Sequence, residues 1–285
     1  MDIETVTERE SRPRTRSRVP FIVTSALASA VGVIVAIFVD NLGQAVAGLI
    51  GDRAPVLYHN DVVFHSAGSD LALGGGVVLT LLAGAFFLTL YPGSRRFDAS
   101  RLTMLWIILH CFRQGFTQLA TLSLSDDSNV ALAFGTLDVP VGLDLVVSAA
   151  GVVGLLSIAL ASAPAFLAYA HRQSLIDSPA KRAAFTGKLA LVPGVVGPLL
   201  TVPAFLPDNG SGLIQSLPLL GLFTVATVLA ALATRTVRIG DGRTVQGWSW
   251  LPLVWLVGFG LLFQLLLRRG LVIPPTLENP FVESG

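Results

Sequence analysis

The sequence contains a single cysteine, Cys111, only two lysines, and few charged residues of any kind. One cysteine cannot form an intrachain disulfide, and it excludes a cysteine-rich metal site. Charged residues make up 13% of the chain and hydrophobic residues 53%, whereas an ordinary globular protein is about 25% charged. This balance excludes a water-soluble globule and predicts an integral membrane protein whose main partner is the lipid bilayer.

Motifs of several catalytic chemistries are also absent. The last apolar run, residues 250–267, has no lysine, which excludes retinal bound as a Schiff base. The residues from His110 to Gln114 read HCFRQ and lack the glutamate and second histidine of the helical zinc signature. Neither Gly-x-Ser-x-Gly nor a phosphate-binding loop ending in Lys-Ser or Lys-Thr occurs. The sequence therefore predicts no cofactor and no nucleic-acid partner, and it leaves open whether the protein is an enzyme.

Long apolar runs separated by polar connections predict an all-α polytopic membrane protein, a bundle of seven transmembrane helices. Residues 1–20 are polar and predict a disordered cytoplasmic tail, whereas the proline-containing residues 268–285 predict an irregular C-terminal tail. The transmembrane domain between them covers residues 21–267. Its predicted spans are residues 21–39, 71–90, 102–124, 143–170, 189–206, 217–233 and 250–267.

The first span has two interpretations. A cleaved signal peptide is one, because the residues 45–47 read Ala-Val-Ala, a typical cleavage sequence. A retained helix is favoured, because its 19-residue apolar core is longer than a signal of about 7–15 residues. In addition, Ala28, Gly32 and Ala36 recur every four residues, a spacing that lets a neighbouring helix approach closely.

Basic residues give the predicted orientation in the cell membrane. With the N-terminus in the cytoplasm and seven crossings, 15 of the 19 basic residues fall in cytoplasmic segments. The exceptions are Arg53, Arg268 and Arg269 in outer segments and Arg113 inside a span. The distribution predicts a multi-pass protein with a cytoplasmic N-terminus.

The third span is unusual because polar residues interrupt its middle. At about 100° per residue, Thr103, His110, Gln114, Thr117 and Thr121 fall within roughly 60° of one another on a helix. Two further polar residues flank this stripe. The stripe and its flanks predict a substrate or ion path whose candidates are His110, Arg113, Gln114, Thr117, Gln118 and, from the fourth span, Asp144.

Arg113 lies 11 residues into its span, about 16 Å along the helix and near the bilayer midplane. A charge there costs about 2.5–3.5 kcal/mol on insertion scales, so it should face the protein interior, water or a partner. One hypothesis is contact with an anion or a polar substrate. The other is a structural pairing with Asp144, with another acid at an outer helix end such as Asp40 or Asp70, or with carbonyls freed in the fifth span.

The histidines offer weaker patterns. His110 has the chemistry for acid/base catalysis, but a buried histidine bonded to a neighbouring helix is the favoured interpretation. His59 and His65 are the only other clustered metal-ligand types, and their spacing of six is longer than recognised zinc spacings. No metal site is therefore predicted. His59 and His65 are the two candidates that such a site would use.

The fifth span carries Pro193, Pro198 and Pro203, which predict a kinked or broken helix. Broken helices line some transport sites, although a bent packing helix is the simpler interpretation. Three hypotheses follow. The first is a transporter or permease-like protein with a polar path along the third span for a small polar solute or a lipid headgroup. The others are an intramembrane metal-dependent or acid/base hydrolase, and a non-catalytic membrane subunit that binds a partner helix.

Overall fold

The computed structural model describes ten parts of the chain: residues 19–51, 53–64, 70–91, 98–124, 128–137, 140, 142–170, 172–205, 211–235 and 249–273. For residues 19–20 and 211–218 it describes the backbone only. The predicted tail at residues 1–18, His65 and residues 274–285 lie outside the described residues.

Helices make up most of the described chain, and three short strands accompany them. The first helix, α1 (Val19–Ile50), is followed by the hairpin strands β1 (Pro55–Leu57) and β2 (Val62–Phe64). A 3-10 turn, Asp70–Gly74, leads into α2. The remaining elements are α2 (Gly75–Leu90), α3 (Ala99–Ala120), α4 (Asn129–Gly135), α5 (Leu143–Leu167), α6 (Pro179–Thr186), α7 (Val192–Phe205), α8 (Ser211–Ala233), α9 (Leu251–Leu265) and β3 (Leu271–Val272).

The fold is all-α and polytopic. Each of the seven predicted spans overlaps a helix, and five described helical segments are long and apolar enough to cross a membrane. These five begin at Phe21, Asp70, Leu143, Pro179 and Leu251. Helix α3 is not among them because its polar stripe lowers its apolar character, and α8 has a described apolar segment of only Leu219–Ala233. Membrane embedding is thus supported by five segments, and the number seven stays a prediction.

Helix α1 is longer than its predicted span. It continues from residue 39 to Ile50, a segment that was expected to begin an outer loop. No proline interrupts this segment, and close packing on α2 supports it: a Cβ on Gly43 would lie 2.5 Å from the carbonyl oxygen of Gly75. Asp40 is therefore an interior helix residue with 6% of its surface exposed, and its expected position at a helix end is wrong.

The small-residue stripe of α1 packs on α3, which confirms the close approach predicted for it. Ala28 and Ala36 are fully buried, and a Cβ on Gly32 would lie 2.7 Å from the carbonyl oxygen of Trp106. Helices α2, α5, α7, α8 and α9 surround this pair. Because α1 and α3 are covered on most sides, polar residues on their facing surfaces are shielded from lipid.

A three-stranded sheet joins the two ends of the chain's helical part. Strand β1 pairs antiparallel with β2 on one side and with β3 on the other, so that Val56 faces both Val63 and Val272. The tail expected to be irregular from Arg268 begins instead with a 3-10 turn, Leu267–Arg269, and strand β3. Since β1 follows α1 and β3 follows α9, both helices end on the same side of the bundle.

The proline-rich fifth span is a continuous helical segment whose distortion precedes its prolines. Residues Gly187–Leu191 form a π turn between α6 and α7, and α7 stays helical through Pro198 and Pro203. Pro193 has no N–H to donate to the carbonyl of Leu189 one turn earlier, and its ring crowds that carbonyl. A widened turn at this point relieves the crowding and leaves the Leu189 oxygen available to another helix.

Candidate functional site

The polar stripe of α3 faces α1 and is buried between the two helices. His110 and Arg113 expose 1% and 3% of their surfaces. From Trp106 to Gln118 the contact extends over 13 residues, about 18 Å of helix. We call it the α1–α3 seam, and its polar residues are Ser25, Ser29, Asp40 and Gln44 of α1 with His110, Arg113, Gln114, Thr117 and Gln118 of α3.

Both ring nitrogens of His110 are engaged within the seam. Arg113 Nε donates to His110 Nδ1 at 3.3 Å, and Ser29 Oγ lies 3.0 Å from His110 Nε2. A guanidinium can only donate, so Nδ1 is the acceptor and the proton of the neutral imidazole is on Nε2. His110 therefore donates to Ser29 and does not act as a base towards its hydroxyl, which is the opposite of the polarity in a serine-histidine catalytic pair.

Arg113 is buried without an opposite charge. Its hydrogen bond to His110 is its one polar contact with the described residues, and its Nη1 has no partner there. A buried ionised group normally finds a counter-charge, since the effective desolvation penalty is several kcal/mol. The guanidinium thus has spare donor capacity and uncompensated positive charge in the middle of α3.

Asp144 does not supply the missing charge: no hydrogen bond or ion pair joins it to Arg113. The reason is the antiparallel packing of α5 on α3, in which Gly151 contacts the backbone of Ala120 and Gly154 contacts Phe116. Asp144 lies seven residues before Gly151, and Arg113 lies seven residues before Ala120. The two side chains are therefore about 20 Å apart along the helix axes, beyond the reach of an arginine.

The carbonyl freed in the fifth span is also taken by another partner. Trp106 Nε1 donates to Ser25 Oγ at 2.9 Å, and Ser25 Oγ donates to the Leu189 carbonyl oxygen at 2.8 Å. Trp106 and Ser25 are fully buried. The end of the seam near the start of α1 is thus closed by a satisfied hydrogen-bond chain that ties three helices together.

Replacing Ser25 with alanine is expected to lower the free energy of unfolding by about 2 kcal/mol. The Trp106 N–H would lose its acceptor and the Leu189 carbonyl its donor. Reversible denaturation in bicelles measures this value. Ser157→Ala is the matched control: Ser157 is exposed and bonds only the Val153 carbonyl of its own helix, so the change should stay within about 0.5 kcal/mol. Equal losses in the two variants would contradict a structural role for the relay.

Asp40 was missed as a site residue because its span was ended at residue 39. Gln118 Nε2 donates to Asp40 Oδ2 at 2.8 Å, and Gln114 Nε2 does so at 3.4 Å. Gln44 lies one turn further along α1, close enough to the Asp40 carboxylate to favour its charged form. The available signal was periodicity, because Asp40 and Gln44 continue the helix face on which Ser25, Ser29, Gly32 and Ala36 lie.

We call Asp40, Gln44 and Gln118 the Asp40 cluster. Three buried oxygens in it have no hydrogen-bond partner in the described structure: Asp40 Oδ1, Gln44 Oε1 and Gln118 Oε1. Asp40 Oδ1 lies against Gly76 in the first turn of α2. A helix N-terminus stabilises a carboxylate by about 0.3–1 kcal/mol, whereas burying the carboxylate costs several kcal/mol. The helix dipole alone therefore leaves the charge of Asp40 largely uncompensated.

A second carboxylate, Asp61, is close enough to Asp40 to repel it electrostatically. It lies between β1 and β2, outside the helices, where it accepts a hydrogen bond from the Val62 N–H at 2.7 Å. Burial raises the pKa of Asp61, and this hydrogen bond opposes the shift. The Asp40 end of the seam thus carries negative charge from two elements.

His59 is buried at the same end, 2% exposed, and its Nε2 lies 3.3 Å from the Phe205 carbonyl oxygen. A carbonyl accepts only, so this Nε2 carries a proton and donates. In the ranges that the structure describes, no group of three His, Cys, Asp or Glu residues has the geometry of a metal site. The structure thus gives His59 a contact with the end of α7.

Comparisons of the chain with protein-family models, with curated proteins and with solved structures gave no match. The α1–α3 seam is the feature of the described structure from which a function is inferred. It brings together five of the six path residues predicted from sequence, leaves Asp144 apart, and adds Ser29, Asp40 and Gln44 from α1.

Proposed function

We propose that the protein is a permease-like transporter of the cell membrane, with a cytoplasmic N-terminus, whose polar path for a small solute follows the α1–α3 seam. The observation that carries this proposal is Arg113, a guanidinium 97% buried with one unused nitrogen and no opposite charge in the described structure. Intramembrane ionisable residues with these properties mark substrate or ion pathways by default. A solute with an anionic or hydrogen-bond-accepting group would satisfy the free nitrogen.

The alternatives are less well supported by the same geometry. A hydrolase using His110 needs a basic imidazole nitrogen facing a nucleophile or a water, and both nitrogens are already used by Arg113 and Ser29. A subunit that presents the stripe to a partner helix needs that face uncovered, and α1 already covers it. The permease-like proposal requires only that the seam admit water and solute.

Access by water is tested with the chain's single cysteine. Cys111→Ala gives a cysteine-free protein, into which Thr117→Cys and Gln118→Cys are introduced one at a time. In proteoliposomes both positions are expected to react with a charged, membrane-impermeant thiol reagent, because a polar path would hydrate them. Their reaction rates are measured by mass shift.

Two control positions give the baseline. Ala159→Cys lies in the fully buried apolar packing of α5. Leu222, which is 48% exposed, lies on the apolar surface of α8 that faces lipid, and Leu222→Cys is the second control. Neither should react, because a charged reagent does not enter an apolar core or the bilayer. If Thr117→Cys and Gln118→Cys react no faster than Ala159→Cys, the seam is dry and the transport proposal fails.

A further inference from the structure

We propose that the Asp40 cluster binds a small monovalent cation, either an alkali-metal ion or a primary ammonium group. This inference deepens the proposed function and rests on it for one point, namely that solutes reach the seam from the outer side. The binding itself can be measured without transport. Three features carry it: the oxygens that lack donors, the net charge, and the number of carboxylates.

The first feature is an excess of acceptors. The side-chain nitrogens of Gln114 and Gln118 donate to the Asp40 carboxylate, and the Gln44 side chain lies close to it. The amides of Gln44 and Gln118 also carry oxygens, which only accept hydrogen bonds. These oxygens and Asp40 Oδ1 are buried and lack partners in the described structure. A group that satisfies them must donate hydrogen bonds or carry positive charge.

Gln44 also indicates a ligand, because it is a neutral residue with a buried oxygen, unpartnered in the described structure. It exposes only 1% of its surface, yet its Oε1 has no partner among the described residues. Native structures rarely leave such an atom unsatisfied, so a hydrogen-bond donor or a cation is expected beside it. Its position one turn after Asp40 places the oxygen on the same face of α1.

The second feature is the local charge. Asp40 forms no ion pair in the described part of the chain, and Asp61 adds negative charge nearby. Arg113 precedes Gln114 by one residue and Gln118 by five on α3, and it bonds His110 instead of the carboxylate. A cation is therefore the complement that the cluster lacks, since buried charges are paired or coordinate metals.

The third feature selects the charge of the ligand. The cluster supplies one carboxylate and neutral amide oxygens, which are ligands for a hard cation. Calcium sites use several carboxylates, and magnesium requires near-ideal octahedral geometry. One carboxylate balances one positive charge, so a monovalent ion or an ammonium group with three donors is the matching ligand.

The test uses the full-length protein in nanodiscs, with thermal unfolding followed at constant ionic strength. Sodium, potassium, ammonium or methylammonium chloride replaces N-methylglucamine chloride, whose cation is too large for the cluster. At least one small cation is expected to raise the unfolding temperature by several degrees in a saturable manner, because a ligand that binds only the folded state stabilises it. If an alkali ion gives the larger rise in unfolding temperature, the site binds a metal ion. If methylammonium gives the larger rise, the site binds an ammonium group.

Asp40→Asn should abolish the shift because it removes the charge while keeping the shape. Asp177→Asn is the matched control, since Asp177 is half exposed and pairs with Lys181 at the surface, and it should keep the shift. If Asp40→Asn does not fold, Gln44→Leu should weaken the apparent affinity at least tenfold. The proposal is overturned if N-methylglucamine gives the same stabilisation, if the affected variants keep the shift, or if no small cation has an effect.

The two proposals fail separately. A saturable cation effect with unreactive cysteines at positions 117 and 118 keeps the cation site and overturns transport. Reactive cysteines without any cation effect keep the path and overturn the cation site.

Discussion

Replacing Arg113 with methionine is expected to raise the free energy of unfolding by about 1–3 kcal/mol. The guanidinium is buried with one hydrogen bond and no counter-charge among the described residues, so its removal relieves a desolvation penalty. Methionine has a similar unbranched shape and fills the space of the aliphatic stem. Reversible denaturation in bicelles measures the change. A gain in stability at the expense of solute passage would be typical of a functional site.

Arg182→Met is the matched control with the opposite expected sign. Arg182 donates to three backbone carbonyls, those of Ala231 at 3.2 Å, Ile176 at 3.3 Å and Leu232 at 3.4 Å. Its removal leaves these acceptors unsatisfied and should lower the free energy of unfolding by about 2 kcal/mol. A loss of the same size for Arg113→Met would mean that Arg113 is a structural cation, and it would remove the main support for the transport proposal.

Replacing Gly32 with alanine is expected to lower the free energy of unfolding by about 3 kcal/mol or to prevent folding. The new Cβ would lie 2.7 Å from the Trp106 carbonyl oxygen and 2.8 Å from His110 Cδ2. The first contact is with backbone, so it can be relieved only by moving α1 away from α3. That movement would also separate Ser29 from His110, and the yield of folded protein and its thermal unfolding report the damage.

Gly221→Ala is the control for the helical preference of alanine. No atom of the described residues lies within 4 Å of a Cβ at Gly221, in α8, so this variant should be unchanged or up to about 1 kcal/mol more stable. A neutral result for Gly32→Ala would show that the helices of the seam are not in close contact. The seam geometry would then be wrong.

Part of this architecture could be predicted from the sequence because it depends on local periodicity. Apolar runs located the helices, and spacings of three and four placed His110, Gln114, Thr117 and Gln118 on neighbouring positions of one α3 face. The same argument applied to α1 would have extended the small-residue face from Ala36 to Asp40. Hydropathy alone ends the first span before Asp40, because a charged residue lowers the apolar average of the segment.

The rest required tertiary contacts. Whether Arg113 pairs with Asp144 depends on how far α5 slides along α3, and contacts such as Gly151 with Ala120 fix that register. The tautomer of His110 depends on a donor within α3 and a hydroxyl 81 residues away in α1. These two partners are too far apart along the chain for a local sequence pattern to reveal both.

By itself, the sequence determined that the chain is helical and membrane-embedded and that one helix carries a polar face, because composition and helical period act over short distances. Only the tertiary structure decided what that face meets: α1 covers it, Asp40 joins it, and Arg113 pairs with neither Asp40 nor Asp144. The physical reason is that compensation of a buried charge acts over a few ångströms in space, and residues that near in the folded bundle are far apart along the chain.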